Sequence, residues 1–130
     1  MTPMLTRWPA DEIREIAEAD GLRIAPFRED GVSYRTPTWI WSVAVNGELY
    51  VRAYNGKKSR WYEAAMRQRA GRIMTDEMIC DVHFEPVDTP VINRVDDAYR
   101  AKYAGSSYLN AMIGQRARAA TVRITPRNKN

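Results

Sequence analysis

An α+β domain built on a small antiparallel barrel with peripheral helices is the fold class this sequence predicts. Three observations carry that expectation. Asn46-Gly47, the preferred dipeptide of a two-residue type I′ turn, separates two alternating runs, Thr38 to Val45 and Glu48 to Tyr54. A second pair of runs, Gly71 to Met74 and Met78 to Pro86, turns near Thr75-Asp76-Glu77. Around these hairpins lie short segments of helical periodicity, which sets helices at the edge of a hairpin-rich sheet instead of between parallel strands.

Taken in order, Pro9 to Asp20 reads as a helix. Pro9 suits its first turn, Asp11 and Glu12 favour the N-terminal dipole, Ile13, Ile16 and Ala17 share one face, and Gly21 stops it. A strand over Leu22 to Pro26 leads to a turn at Glu29-Asp30-Gly31. The type I′ turn then sets a register: Val45 opposes Glu48, Val43 opposes Tyr50, Trp41 opposes Arg52 and Trp39 opposes Tyr54. One face of that hairpin is a ladder of rings with Arg52 among them. The other carries Ala44, Leu49, Ser42, Val51, Ile40 and Ala53, small and aliphatic as the inside of a tightly curved sheet requires.

Ser59 is placed to cap a helix running to about Ala70. Thr89-Pro90 opens another, as N-cap and first position, with a buried stripe of Val91, Val95, Ala98, Tyr99 and Lys102. Ser107 to Ile113 reads as a short helix ending at Gly114. Ala120 to Thr125 reads as a last strand with Val122 and Ile124 inward and Arg123 outward, and 127–130 as a frayed tail. The result is six strands in one domain over 1–130, with no internal repeat or linker.

At 130 residues, 45% apolar and 28% charged, the chain can bury one core and has the composition of a soluble globular protein. No apolar run approaches the roughly 20 residues of a membrane helix, and Met1 to Trp8 lacks the apolar stretch of a secretory leader. The single cysteine, Cys80, excludes an internal disulfide and makes the reducing cytoplasm the expected location. The net charge of +4 is unevenly spread: six cations between Lys57 and Arg72 face Glu63 alone, and five from Arg116 onward face no acid. Such regions attract anions, whether phosphate cofactor, nucleic acid or acidic protein.

Side chains able to carry a reaction unaided are scarce. His83 is the only histidine and has no cysteine or histidine partner at ligand spacing, so no metal site is expected. It belongs on the sheet face opposite Val82 and Phe84, and Cys80 reads as a buried small hydrophobe. Asp96 and Asp97 are adjacent helix positions that point apart, so they form no cooperating dyad without help from another group. No Walker-type or dinucleotide-fold glycine motif is present. An enzyme built on this chain needs a cofactor to supply the chemistry. The place for one is the junction "YNGKKSRW", where Lys57, Lys58 and Arg60 crowd the start of a helix whose own end is partially positive. Either that site is merely solvated or an anion belongs in it, met by backbone N–H groups, the helix dipole, Lys57, Lys58 and Arg60.

The order of "WSVAV", "LYVRAYNG", "SRWYEAA", "GRI", "DVHFEPVD", "AYRAKY" and "AATVRITPR" resembles a bacterial family, domain-of-unknown-function family 2255, over nearly the whole chain. More distantly, the central part is similar to the split-β-barrel flavoproteins, the FMN-binding split-barrel class, and especially to deazaflavin-dependent nitroreductases. That resemblance implies an antiparallel split barrel and a flavin- or deazaflavin-binding oxidoreductase of unknown substrate. The positions matching the nitroreductases' phosphate-side segment are Tyr54, Asn55, Gly56, Lys57, Lys58, Ser59, Arg60 and Trp61. After the tryptophan, Tyr62-Glu63-Ala64 stands where those proteins carry a small polar residue and an Asn-Leu pair. Trp39 and Trp41 would offer stacking surfaces to the ring, and Arg52 would donate to its edge or stack over Trp41. Related barrels pair two protomers around the cofactor, so a homodimer is implied. Two other readings stand beside this one: a cofactor-free binding or interaction module, and a protein for single-stranded nucleic acid, using the basic residues interleaved with rings.

Overall fold

The computed structural model describes residues 7–127. The expectations for the leader region at 1–6 and for the tail at 128–130 lie outside the described residues. Seven strands, β1 (Leu22–Pro26), β2 (Thr38–Ile40), β3 (Ser42–Val45), β4 (Glu48–Arg52), β5 (Ala70–Met74), β6 (Ile79–Pro86) and β7 (Thr121–Pro126), form one antiparallel sheet in the order β2-β1-β5-β6-β7-β4-β3. Helices α1 (Ala10–Glu18), α2 (Arg60–Gln68), α3 (Val91–Lys102), α4 (Leu109–Met112) and α5 (Gln115–Arg118) are peripheral to it. Consecutive strands β2 and β3 stand at opposite ends of the sheet order, one residue apart in the chain. The sheet therefore curls until its two edges meet at Trp41, and the fold is a nearly closed split barrel.

That topology corrects the expected first hairpin. The turn itself is as expected: Asn46 and Gly47 have φ of 53° and 79°, and Val45 pairs with Glu48 and Val43 with Tyr50. Beyond the Ser42–Val51 pair, the expected Trp41–Arg52 and Trp39–Tyr54 partners do not form. The chain leaves β4 at Trp41, and Trp39 instead pairs with Arg23 of β1. One long strand becomes two short ones because the strongly curved sheet lets each half pair on a different edge. Six expected strands thus become seven.

Other boundaries move for local reasons. The first helix ends with Ala19 extended, and Gly21 is no cap: a Cβ there would lie 2.5 Å from the Ile40 carbonyl oxygen, so it serves close approach of β2. Helix α2 ends at Gln68, before the expected Ala70, because Arg69 turns left-handed (φ 58°). The Arg69 side chain donates to the Met66 carbonyl. The cap of α3 is Pro90, one residue later than expected, and α5 follows Gly114 where no helix was expected. Arg127, expected to fray, donates its backbone N–H to Asp81 O at 2.9 Å and sits 5.1 Å from the Phe27 ring centre.

Alternation produces two cores. Inside the barrel, Leu22, Ile24, Leu49, Val51, Val82, Phe84, Val122 and Ile124 are buried, closed at one end by Ile13 and Ile16 of α1. The buried Trp8 donates its indole N–H to the Ile124 carbonyl. On the outer face of β3 and β4, Val43 and Tyr50 pack under Val95 and Tyr99 of α3 with Met112 and Ala117. His83 and Cys80 are half-buried on β6, Cys80 against the barrel core instead of fully inside it.

Candidate functional site

The chain after β4 is built to stop abruptly. Gly56 donates to the Ala53 carbonyl at 2.9 Å and has φ of 78°; a Cβ on it would meet Arg116 Cγ at 2.6 Å. A left-handed conformation and a close neighbour together require glycine. One 3₁₀ turn, Gly56–Lys58, follows, and Ser59 then enters α2 in an extended conformation. The Ser59 carbonyl accepts from Glu63 N at 3.0 Å, while its hydroxyl makes no capping bond. The first-turn N–H groups of α2 have no intrahelical partner.

Beside this helix start lies a cleft of about 430 Å³, lined from β2 and its exit by Thr38, Trp39, Ile40 and Trp41, and from the α2 side by Tyr54, Asn55, Ser59, Arg60 and Trp61. Arg52, Tyr108 and Met112 complete its wall. Of the residues singled out from sequence, Trp39, Trp41, Arg52, Tyr54, Asn55, Ser59, Arg60 and Trp61 converge here. Gly56, Lys57 and Lys58 do not line it: Gly56 is buried against Arg116, and the two lysines are exposed on the 3₁₀ turn. The crowding of cations at the helix start therefore resolves into Arg60 facing the cleft and two solvent-facing lysines. Thr38, Ile40, Tyr108 and Met112 were missed. Only Tyr108, a ring in a Gly-Ser-Ser loop, carried any signal.

The rings divide into anchored and open ones. Trp41 stacks on Tyr103 with centroids 3.9 Å apart and planes within 3°, and the Tyr103 hydroxyl accepts from Ser42 N and donates to Asp20 O. Burial pushes the Tyr103 phenol up to about 12 and the Tyr99 phenol higher still. Trp39, 54% exposed, and Tyr54, 40% exposed, are the open ones, with Tyr54 edge-on to Tyr108 at 6.1 Å and the Arg116 guanidinium 6.0 Å from its ring centre. Trp61 is buried, its ring 6.1 Å from that of Tyr62.

Arg52 has a different task from the one its sequence position suggests. It is fully buried, and its Nε donates to Thr121 Oγ1, Nη1 to Asp96 Oδ1 (2.5 Å) and the Met112 carbonyl, and Nη2 to the Ile92 carbonyl. Its guanidinium lies 5.4 Å from the Tyr99 ring centre, and not over Trp41. Four of its five N–H groups are thus spent on tying β4 and β7 to α3 and α4. Asp96 also contacts Arg118 Nε at 3.1 Å, while Asp97 points outward to Arg100. Among the described residues, no three His, Cys, Asp or Glu side chains group as a metal site would need, and no helix is long and apolar enough to cross a membrane.

A nearly closed antiparallel barrel with peripheral helices and a cleft at its seam is the architecture of the split-barrel proteins. The family DUF2255, described as an uncharacterized protein conserved in bacteria, matches residues 12–124, and the chain belongs to it. No curated protein matches the chain. Among solved structures, a conserved hypothetical protein of Mycobacterium tuberculosis is similar at a TM-score of 0.62 and 17% identity, covering 96% of this chain and 83% of that one. A candidate 5-nitroimidazole antibiotic resistance protein of Bacteroides thetaiotaomicron also reaches 0.62 at 13% identity, over 98% and 84% of the two chains. A protein described as F420 reductase aligns at 0.47 and 16% identity, over 90% and 93%. The first two likenesses are of fold.

Proposed function

We propose that the seam cleft binds a flavin or deazaflavin and that the protein is an oxidoreductase using it. The observation that carries this reading is the convergence of an open indole, Trp39, with the bare start of α2 in one cavity of about 430 Å³. That volume falls within the roughly 300–1,000 Å³ of small-molecule sites. The residues present fit such a group. Among the described residues no carboxylate lines the cleft, which favours an anion there. The Ser59 hydroxyl, the first-turn N–H groups and the Arg60 guanidinium suit a phosphate, and Trp39 and Tyr54 suit a flat ring. When bound, the flavin supplies the electron transfer. Trp41, locked on Tyr103, keeps the wall rigid, while Arg52 holds the floor and leaves little donor capacity for a ligand. Lys57 and Lys58 contribute field more than contact.

The same reading includes a cytoplasmic homodimer in which a second copy covers the aromatic rim of the cleft. The direct test is thermal. At 100 times its dissociation constant a ligand adds about 2.7 kcal/mol, so flavin mononucleotide or the deazaflavin should raise the melting temperature by several degrees. Riboflavin, lacking the phosphate, should raise it much less, and Ser59→Ala/Arg60→Gln should erase that difference. No shift with any flavin or deazaflavin, together with a colourless native protein, would return the chain to the cofactor-free module.

A further inference from the structure

Beyond Arg60 the seam continues into a second cavity, of about 260 Å³, lined by Pro26, Arg28, Arg35, Thr36, Thr38, Arg60 and Trp61. It shares Thr38, Arg60 and Trp61 with the first. Three arginines and two threonines with no carboxylate make it the most cationic hollow among the described cavities. Arg60 opens α2, and the other two arginines come from a built loop. Phe27 and Tyr34 bridge as isolated strand partners and stack at 4.8 Å; Arg28 N donates to Ser33 O at 2.8 Å and Arg35 N to Pro26 O at 2.9 Å. The Arg28 guanidinium is further held by Nε donating to the Tyr34 carbonyl. Asp30, on the same loop, accepts from the Ser33 hydroxyl, Val32 N and Ser33 N, and these bonds, with a smaller pull from the Arg28 charge, hold its carboxyl below the usual carboxylate range. Among the described residues, Arg28, Arg35 and Arg60 make no side-chain ion pair.

Gathering three arginines around one hollow, with only the weak pull between Asp30 and Arg28 against their repulsion, costs stability unless an anion fills it. We propose that this hollow is a subsite for a multiply charged oxyanion, gripped by the guanidinium forks of Arg28, Arg35 and Arg60 with the Thr36 and Thr38 hydroxyls. Guanidinium forks suit phosphoryl and carboxylate oxygens by pairing two N–H groups with two acceptors. Because the hollow adjoins the aromatic cleft, sharing Thr38, Arg60 and Trp61 with it, the oxyanion belongs to a molecule whose reacting end reaches the ring. That last link rests on the cofactor reading; the oxyanion site itself does not.

Pyrophosphate titrated at constant ionic strength, by calorimetry on the full chain, tests the site. Saturable binding that weakens at least tenfold in Arg28→Gln/Arg35→Gln, and stays within twofold in the charge-matched Arg14→Gln/Arg94→Gln, is the expected result. Absent saturable binding, or a loss under threefold in the first variant, overturns the proposal. Should that variant not fold, protection of Arg28 and Arg35 from phenylglyoxal by pyrophosphate, read by mass spectrometry, replaces it, and unprotected arginines overturn it. Competition with flavin mononucleotide assigns the oxyanion to the cofactor, and simultaneous binding assigns it to the substrate. Flavin binding without a pyrophosphate site sinks this proposal alone; pyrophosphate binding without a flavin shift sinks the cofactor reading alone.

Discussion

Asp96 and Asp97 are neighbours in sequence with opposite fates, and the difference can be measured. Asp96 is buried between Arg52 and Arg118, whereas Asp97 faces solvent with Arg100 at 2.9 Å. Asp96→Asn leaves a fully buried guanidinium without its counter-charge and should cost about 3–5 kcal/mol in denaturant unfolding. Asp97→Asn should cost under about 1 kcal/mol. Equal effects would remove Arg52 from its structural role and free it for ligand. Lys102 supplies a pH signature. Burial holds its ammonium down at about 8, against the pull of Asp20, with Nζ donating to the Ser42 carbonyl at 2.7 Å. An unfolded lysine titrates near 10.4, so between about pH 8 and 10.4 the unfolded chain binds more protons. Stability attributable to this group therefore rises across that window and is flat below it. Lys102→Met should abolish the rise in urea-unfolding free energy measured from pH 8 to 10; an unchanged profile would mean the amine is not desolvated.

Strand β7 shows how one element can hold a barrel together. It pairs with β6 on one side and β4 on the other, buries Val122 and Ile124, and accepts the Trp8 indole N–H. Removing it would open two ladders and bare the barrel core. A chain ending at Ala120 should show no cooperative thermal unfolding, and a retained sharp transition would place β7 outside the cooperative unit. The β2–β3 break shows the limit of reading strands singly. Alternation from Thr38 to Val45 is continuous, so nothing local marks Trp41 as the exit. The break exists because β2 has a second partner, β1, whose Arg23 lies opposite Trp39. Helix α5 was likewise illegible, since a four-residue turn leaves no periodicity to detect.

Across the whole molecule, open rings at the cleft rim are the feature most in need of a partner. Trp39, Tyr54 and Tyr108 are 54%, 40% and 61% exposed around one cavity. Exposed apolar patches beside a cavity mark interaction surfaces. If a second copy covers them, sedimentation should give a species of about twice 15.0 kDa, and Trp39→Glu/Tyr108→Glu should return it to a monomer. A wild-type monomer at high micromolar concentration would instead leave the rim to ligand alone. By itself the sequence determined the hairpin turns, the inward faces of β4, β6 and β7, the start of α2 and most of the cleft's residues. Those follow from local rules: positive φ at Asn46-Gly47, alternation along strands, and the exhaustion of a helix's N–H partners at its first turn. Only the tertiary structure decided that Trp39 leaves its hairpin, that Arg52 is consumed by Asp96 and three oxygen acceptors, and that Arg28 and Arg35 meet Arg60. Each depends on segments tens of residues apart being brought together by closure of the sheet, and no spacing along one segment encodes where a curved sheet brings its edges.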